Sequence, residues 1–69
     1  MTQTRYTVTG MTCEHCARSV TEEISAISGV SDVSVELSTG DVTVTSSAPI
    51  DESDIRAAVE EAGYELAAS

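Results

Sequence analysis

Residues 32–45 read DVSVELSTGDVTVT. Val33, Val35 and Leu37 alternate with Asp32, Ser34, Glu36 and Ser38, the period of a strand with one buried face. Thr39-Gly40-Asp41 is turn chemistry, and beyond it Val42 and Val44 alternate with Thr43 and Thr45. Two alternating runs joined by a short glycine-containing turn make a β-hairpin. Outward from the hairpin the period changes on both sides. Upstream, Ala17, Val20, Ile24 and Ile27 fall on one face at helical spacing, with Ser19, Glu22 and Glu23 on the other. That helix is predicted to start at Cys16 and to stop at Ser28-Gly29, where glycine suits a left-handed cap. Downstream, past a loop over 46–49, Asp51 reads as an N-cap, and Glu52 and Asp54 suit the positive end of a helix dipole. Ile55, Ala58, Val59 and Ala62 form the second apolar stripe, which Gly63 ends.

At the two ends lie shorter alternating runs. Tyr6 and Val8 alternate with Arg5, Thr7 and Thr9, giving a strand over Thr4–Thr9 that Gly10 breaks, with a loop over 11–16 behind it. Tyr64 and Leu66 give a brief last strand. The order is strand, helix, strand, strand, helix, strand. It predicts an α+β, ferredoxin-like βαββαβ sandwich, with two helices on one face of a four-stranded antiparallel sheet. The alternation of valine with threonine, serine and glutamate fits a sheet whose other face meets water.

A chain of 69 residues is one small domain, 1–69, and buries only about 60% of the surface its unfolded form exposes. It has no Trp and no Phe, so the core is aliphatic, with Tyr6 and Tyr64 as its aromatic candidates. Twelve acidic residues stand against Arg5, Arg18 and Arg56, with no lysine, for a net charge of -9. That balance argues against nucleic acid and anionic lipid as partners, since both need cationic surface. A protein partner would present a basic docking face. No apolar run approaches the roughly 20 residues that span a bilayer, and Met1–Tyr6 lacks the features of a signal peptide, so a cytoplasmic location is expected. There a Cys-x-x-Cys pair stays reduced.

The stretch that carries chemistry is Gly10-Met11-Thr12-Cys13-Glu14-His15-Cys16. A disulfide between Cys13 and Cys16 would close a tiny loop and add little stability, so the pair reads as a site. Two thiolates at this spacing can converge on one ion, and soft sulfur donors select Cu(I), Zn(II) and similar metals. Cys16, at a helix start, meets unpaired N–H groups that stabilise a thiolate below its free pKa of about 8.5. A structural zinc site needs four ligands, and His15 is wedged between the two cysteines. A thiol–disulfide enzyme is the rival of another class, although its usual fold is longer. Two sulfurs and nothing else suit Cu(I), which accepts linear or trigonal coordination.

Gly10-Met11-Thr12-Cys13-x-x-Cys16, set between a first strand and a first helix, resembles the heavy-metal-associated domain family. So do the βαββαβ order and Ala62-Gly63-Tyr64 after the second helix, and the resemblance spans nearly the whole chain. The family includes small cytosolic copper chaperones and the N-terminal metal-binding domains of metal-transporting P-type ATPases. The resemblance implies a non-catalytic carrier that holds Cu(I) on Cys13 and Cys16. It also implies delivery of the ion to a copper-transporting P-type ATPase by thiolate exchange. Mercury and zinc carriers share much of the pattern. Met11 matches a family methionine that packs inward, with a third-ligand role as the lesser alternative. Tyr64 matches a loop position near the metal; it reads equally as a cover for the site and as a core aromatic. His15 reads as an exposed loop residue, or as one that tunes the thiolates or joins a second copper in a metal-bridged homodimer. A chain running from Met1 to a short Ala67-Ala68-Ser69 stub fits a free-standing chaperone better than an ATPase domain.

Overall fold

The hairpin read from residues 32–45 closes as two antiparallel strands, β2 (Val30–Glu36) and β3 (Asp41–Ser46). The structure is a computed structural model and describes residues 1–67, so the Ala68-Ser69 end of the expected stub lies outside the described residues. Around the hairpin are β1 (Thr2–Thr9), α1 (Glu14–Ser25), α2 (Glu52–Glu61) and β4 (Glu65–Leu66). The sheet order is β2-β3-β1-β4, and every neighbouring pair is antiparallel. Val8, Val42, Val44 and Leu66 from the sheet join Val20 and Ile24 of α1 and Ile55, Ala58 and Val59 of α2 in one buried cluster. Both helices therefore cover the same sheet face, as the alternation predicts.

Val20, Ile24, Val42, Ile55 and Val59 are the largest fully buried side chains. Each stabilises the fold by about 1.5–3 kcal/mol relative to exposure, a large share of what so small a chain can hold. Tyr6 and Tyr64 pack against this cluster half-buried, at the aromatic positions expected of them.

Three boundaries differ from the sequence reading. Leu37 does not extend β2. The N–H of Gly40 donates to the Glu36 carbonyl at 2.8 Å, and Glu36 pairs with Asp41, so Leu37 begins the turn although it stays half-buried. Ile27 lies beyond α1, whose end comes before Ser28-Gly29. The Ile27 N–H turns back to Ile24 O at 3.0 Å, and the side chain still packs on the core. β1 begins two positions early, at Thr2, because Thr2 and Gln3 pair with Ser46 and Thr45 across β3. Asp51 is the N-cap of α2 as read, but its carboxylate makes no capping hydrogen bond; the backbone carbonyl alone receives Asp54 N–H at 3.0 Å.

Candidate metal centre

Chain direction brings the Cys-x-x-Cys loop to one edge of the molecule, where β1 hands over to α1. Helix α1 opens two residues earlier than the apolar stripe suggests. Cys13 is its N-cap, in extended conformation (φ -154°, ψ 171°), and Cys16 sits at the third helical position, so its sulfur is held on the first turn. The Ala17 N–H donates to Cys13 O at 3.2 Å, while the Cys13 side chain caps nothing. The first N–H groups of the helix thus lack a side-chain acceptor, which leaves the positive end of the dipole facing the sulfurs.

Both cysteines are free thiols, Cys13 exposed and Cys16 half-buried. Their Sγ atoms stand 3.4 Å apart. Thr12 Oγ1 lies 3.9 Å from Cys16 Sγ, a contact the sequence reading did not foresee. Its signal was a hydroxyl four residues before Cys16, one helical turn away.

Tyr64 arrives from the other end of the chain. Helix α2 ends with the Gly63 N–H on Glu60 O at 2.9 Å and the Tyr64 N–H on Val59 O at 3.1 Å, the paired bonds of a Schellman cap. Gly63 supplies the left-handed residue this needs (φ +94°), as its place after the apolar stripe predicts. The cap turns Tyr64 back over the loop. Its ring lies beside Gly10, where a Cβ would come within 3.4 Å of Tyr64 Cδ1.

The Tyr64 hydroxyl is the largest influence on Cys16 and, with the Thr12 backbone and the Cys13 side chain, lowers its pKa to about 6. It is not among the well-directed contacts of the sulfur, which go to Thr12 and Cys13, and so acts as a nearby O–H dipole. The same encounter raises the Tyr64 phenol above its ordinary value. Sequence reasoning gave the direction for Cys16 and assigned it to the helix start. In the structure the phenol comes first. Tyr64 is also half-buried against the core, as its reading as a core aromatic expects.

Met11 packs half-buried against the core. His15 is exposed on the first turn of α1. Among the described residues no three His, Cys, Asp or Glu side chains gather to hold one ion, so His15 does not join the two sulfurs.

A buried-core βαββαβ sandwich presenting two thiols at the start of its first helix is an arrangement other proteins share. The family model of the heavy-metal-associated domain matches residues 5–65. The chain belongs to the heavy-metal-associated domain family. Like this domain in sequence is copper chaperone CopZ of Bacillus subtilis, 38% identical over 68 residues, covering 97% of this chain and 99% of that one. Copper-transporting ATPase 1 of Rhizobium meliloti is 39% identical over 62 residues, which are 90% of this chain and 8% of the transporter. Among solved structures, that of a CopZ metallochaperone superposes on this heavy-metal-associated domain with a TM-score of 0.89 at 31% identity. It covers 96% of this chain and 100% of the other.

Proposed function

We propose that this domain carries copper: it holds one Cu(I) between Cys13 and Cys16 and passes it to a copper-transporting P-type ATPase. The observation that carries the reading is the thiol pair at 3.4 Å, with no His, Asp or Glu gathered beside it among the described residues. A two-sulfur site suits a soft ion content with few ligands and disfavours Zn(II), which seeks four. The likeness to copper chaperones over nearly their full length supports copper as the cargo and argues against the thiol–disulfide enzyme.

Geometry suggests which cysteine moves. Two metal–sulfur bonds of about 2.3 Å enclose roughly a right angle when their sulfurs are 3.4 Å apart. Opening toward linear coordination asks for roughly 1 Å more separation. Cys13, exposed and capping nothing, can turn outward, whereas Cys16 is held on the helix beside Thr12 and Tyr64. In transfer an acceptor thiolate bonds the copper first, giving a three-coordinate intermediate. The Cu–S bond to Cys13 then breaks, Cys13 leaving with the electron pair as a thiolate, and the bond to Cys16 follows. Copper stays Cu(I) throughout, and no redox partner is required.

The net charge of -9 implies an acceptor with a basic face and a transfer rate that falls as salt rises. The match to a transporter segment favours a second reading, in which the domain belongs to an ATPase and loads or regulates it. Either reading places the work in a reducing compartment such as the cytoplasm.

The test is anaerobic titration with Cu(I) against a calibrated chelator, with Zn(II) in parallel. About one Cu(I) per chain, held far more tightly than Zn(II), is expected. Cys13→Ser and Cys16→Ser should each remove most of the affinity. Retention of Cu(I) by Cys16→Ser at the wild-type level would overturn the assignment.

A further inference from the structure

Away from the cysteines, the C-terminal end of α1 and the length of α2 border a shallow, open groove of about 710 Å³. Ala26, Ile27, Ile50 and Ala58 contribute apolar surface to it. Ile27 and Ile50 are only half-covered by their own fold, although both touch the core. Glu23, Asp51, Asp54 and Glu61 stand around this apolar floor, and no arginine lines it. None of the four carboxylates has an ion-pair or side-chain hydrogen-bond partner among the described residues, where the one ion pair joins Arg56 to Glu52. Asp51 is telling: it holds the N-cap position of α2, forgoes the cap, and leaves its carboxylate on the groove.

Water solvates isolated surface acids well, and a charged helix face needs no partner. An apolar trough bordered by unpaired acids on both of its walls is different. Its complement is a segment with aliphatic side chains to fill the trough and cations spaced to meet both borders. The chain's own three cations cannot serve: Arg56 is engaged with Glu52, and neither Arg5 nor Arg18 lines the groove. We propose that this groove docks a basic amphipathic segment of a partner protein, one in which leucine-like residues are interleaved with Lys and Arg.

The site is separate from the metal loop. From Cys16 to Ala26 is ten residues along α1, roughly 15 Å. A partner seated in the groove leaves both sulfurs open, so holding the partner and exchanging the metal become independent events. The proposal goes beyond the copper reading and stands without it, since no cysteine takes part in docking.

The probe is a synthetic helical peptide with Leu at i and i+4 and Lys and Arg at the flanking positions. It is titrated into the reduced full chain, with amide chemical shifts as the readout. Shifts centred on Ala26, Ile27, Ala57 and Ala58, weakening about tenfold between about 0.05 M and 0.5 M salt, are expected. The Asp54→Lys/Glu61→Lys double variant should weaken binding at least about tenfold while its other amide positions stay unchanged, which shows the fold intact. A Cys13→Ser/Cys16→Ser chain should bind the peptide as wild type does, even if copper binding fails. Shifts confined to residues 11–16 and 64 would overturn the proposal. Equal binding of a Leu→Ser peptide would do so too, reducing the effect to diffuse charge attraction, as would no binding at about 1 mM peptide.

Discussion

The phenol of Tyr64 is the largest of the influences that lower the pKa of Cys16, so the last loop of the chain bears on the ionisation of a residue on the first turn of its first helix. Three structural facts produce the encounter: the N-cap at Cys13, the Schellman cap at Gly63, and the pairing of β4 with the end of β1. An O–H dipole near a sulfur favours the thiolate over the thiol, and by reciprocity the thiolate holds the phenol in its protonated form.

Replacing Tyr64 by Phe keeps the ring and removes the hydroxyl. The Cys16 midpoint, about 6 in the native chain, should move up. Alkylation rate against pH in a Cys13→Ser background reads it directly, since Cys16 is then the only thiol in the sequence. An identical midpoint with and without the hydroxyl would show that the phenol is merely a core aromatic.

Metal retention should respond to acid in a defined direction. The folded pKa of Cys16 is depressed, so the thiolate is present above about 6 and takes up a proton as pH falls through that value. A proton on Cys16 competes with the metal. Competition against a chelator corrected for its own protonation should therefore show the Cys16 share of metal loss below about pH 6 and none between pH 7 and 8. In Tyr64→Phe the loss should begin at higher pH.

Two glycines with similar backbone angles should behave differently. Gly40 has φ +80°, and a Cβ there would stand 2.7 Å from the Val8 carbonyl oxygen, a backbone atom with no freedom to move aside. Gly40→Ala should destabilise the fold by about 2 kcal/mol or more, because any shift that relieves the clash also disturbs the Val8 N–H to Gly40 O bond of 2.8 Å. Gly63 has φ +94°, and nothing lies within 4 Å of its Cβ position. Gly63→Ala should cost only the left-handed backbone penalty, about 1–2 kcal/mol, and should disturb Tyr64. Urea unfolding of the two variants measures both; equal losses would refute the steric part of the argument.

Ile55→Ala removes a fully buried side chain at the centre of the cluster. A loss of about 2–5 kcal/mol is expected. Against roughly 3–10 kcal/mol for a chain of this length, that is a large share of the total, and the urea midpoint should fall accordingly. Far-ultraviolet circular dichroism against urea gives the answer, with Ile27→Ala as a milder control because that side chain is only half-buried.

The architecture was legible because alternation and helical stripes report burial, and burial is what the sheet and helices are built on. Val42 and Val44 are buried and Thr43 and Thr45 half-exposed, as their period requires. Boundaries failed where a single backbone bond decided them. Leu37 has the parity of a strand residue, yet the bond from Gly40 to Glu36 ends the ladder before it. The start of α1 was misplaced because cysteine is not a preferred capping residue, and the apolar stripe begins only after Cys16. The cysteine pair itself was plain in the sequence. The placing of Tyr64 against Cys16 was not, since no local pattern encodes a contact between the two ends of a chain.

The strand that holds Tyr64 in place, β4, is two residues long and lies at the sheet edge. Its grip on β1 consists of the Val8–Leu66 and Thr9–Glu65 pairs and the Ala67 N–H on Thr7 O at 2.7 Å. So short a ladder opens at a lower free energy than the six-pair ladder between β1 and β3, and it opens alone. Its amides should exchange with solvent deuterium well ahead of those of Val42 and Val44. The loop that carries Tyr64 can therefore shift by local fraying of β4 while the rest of the sheet stays closed.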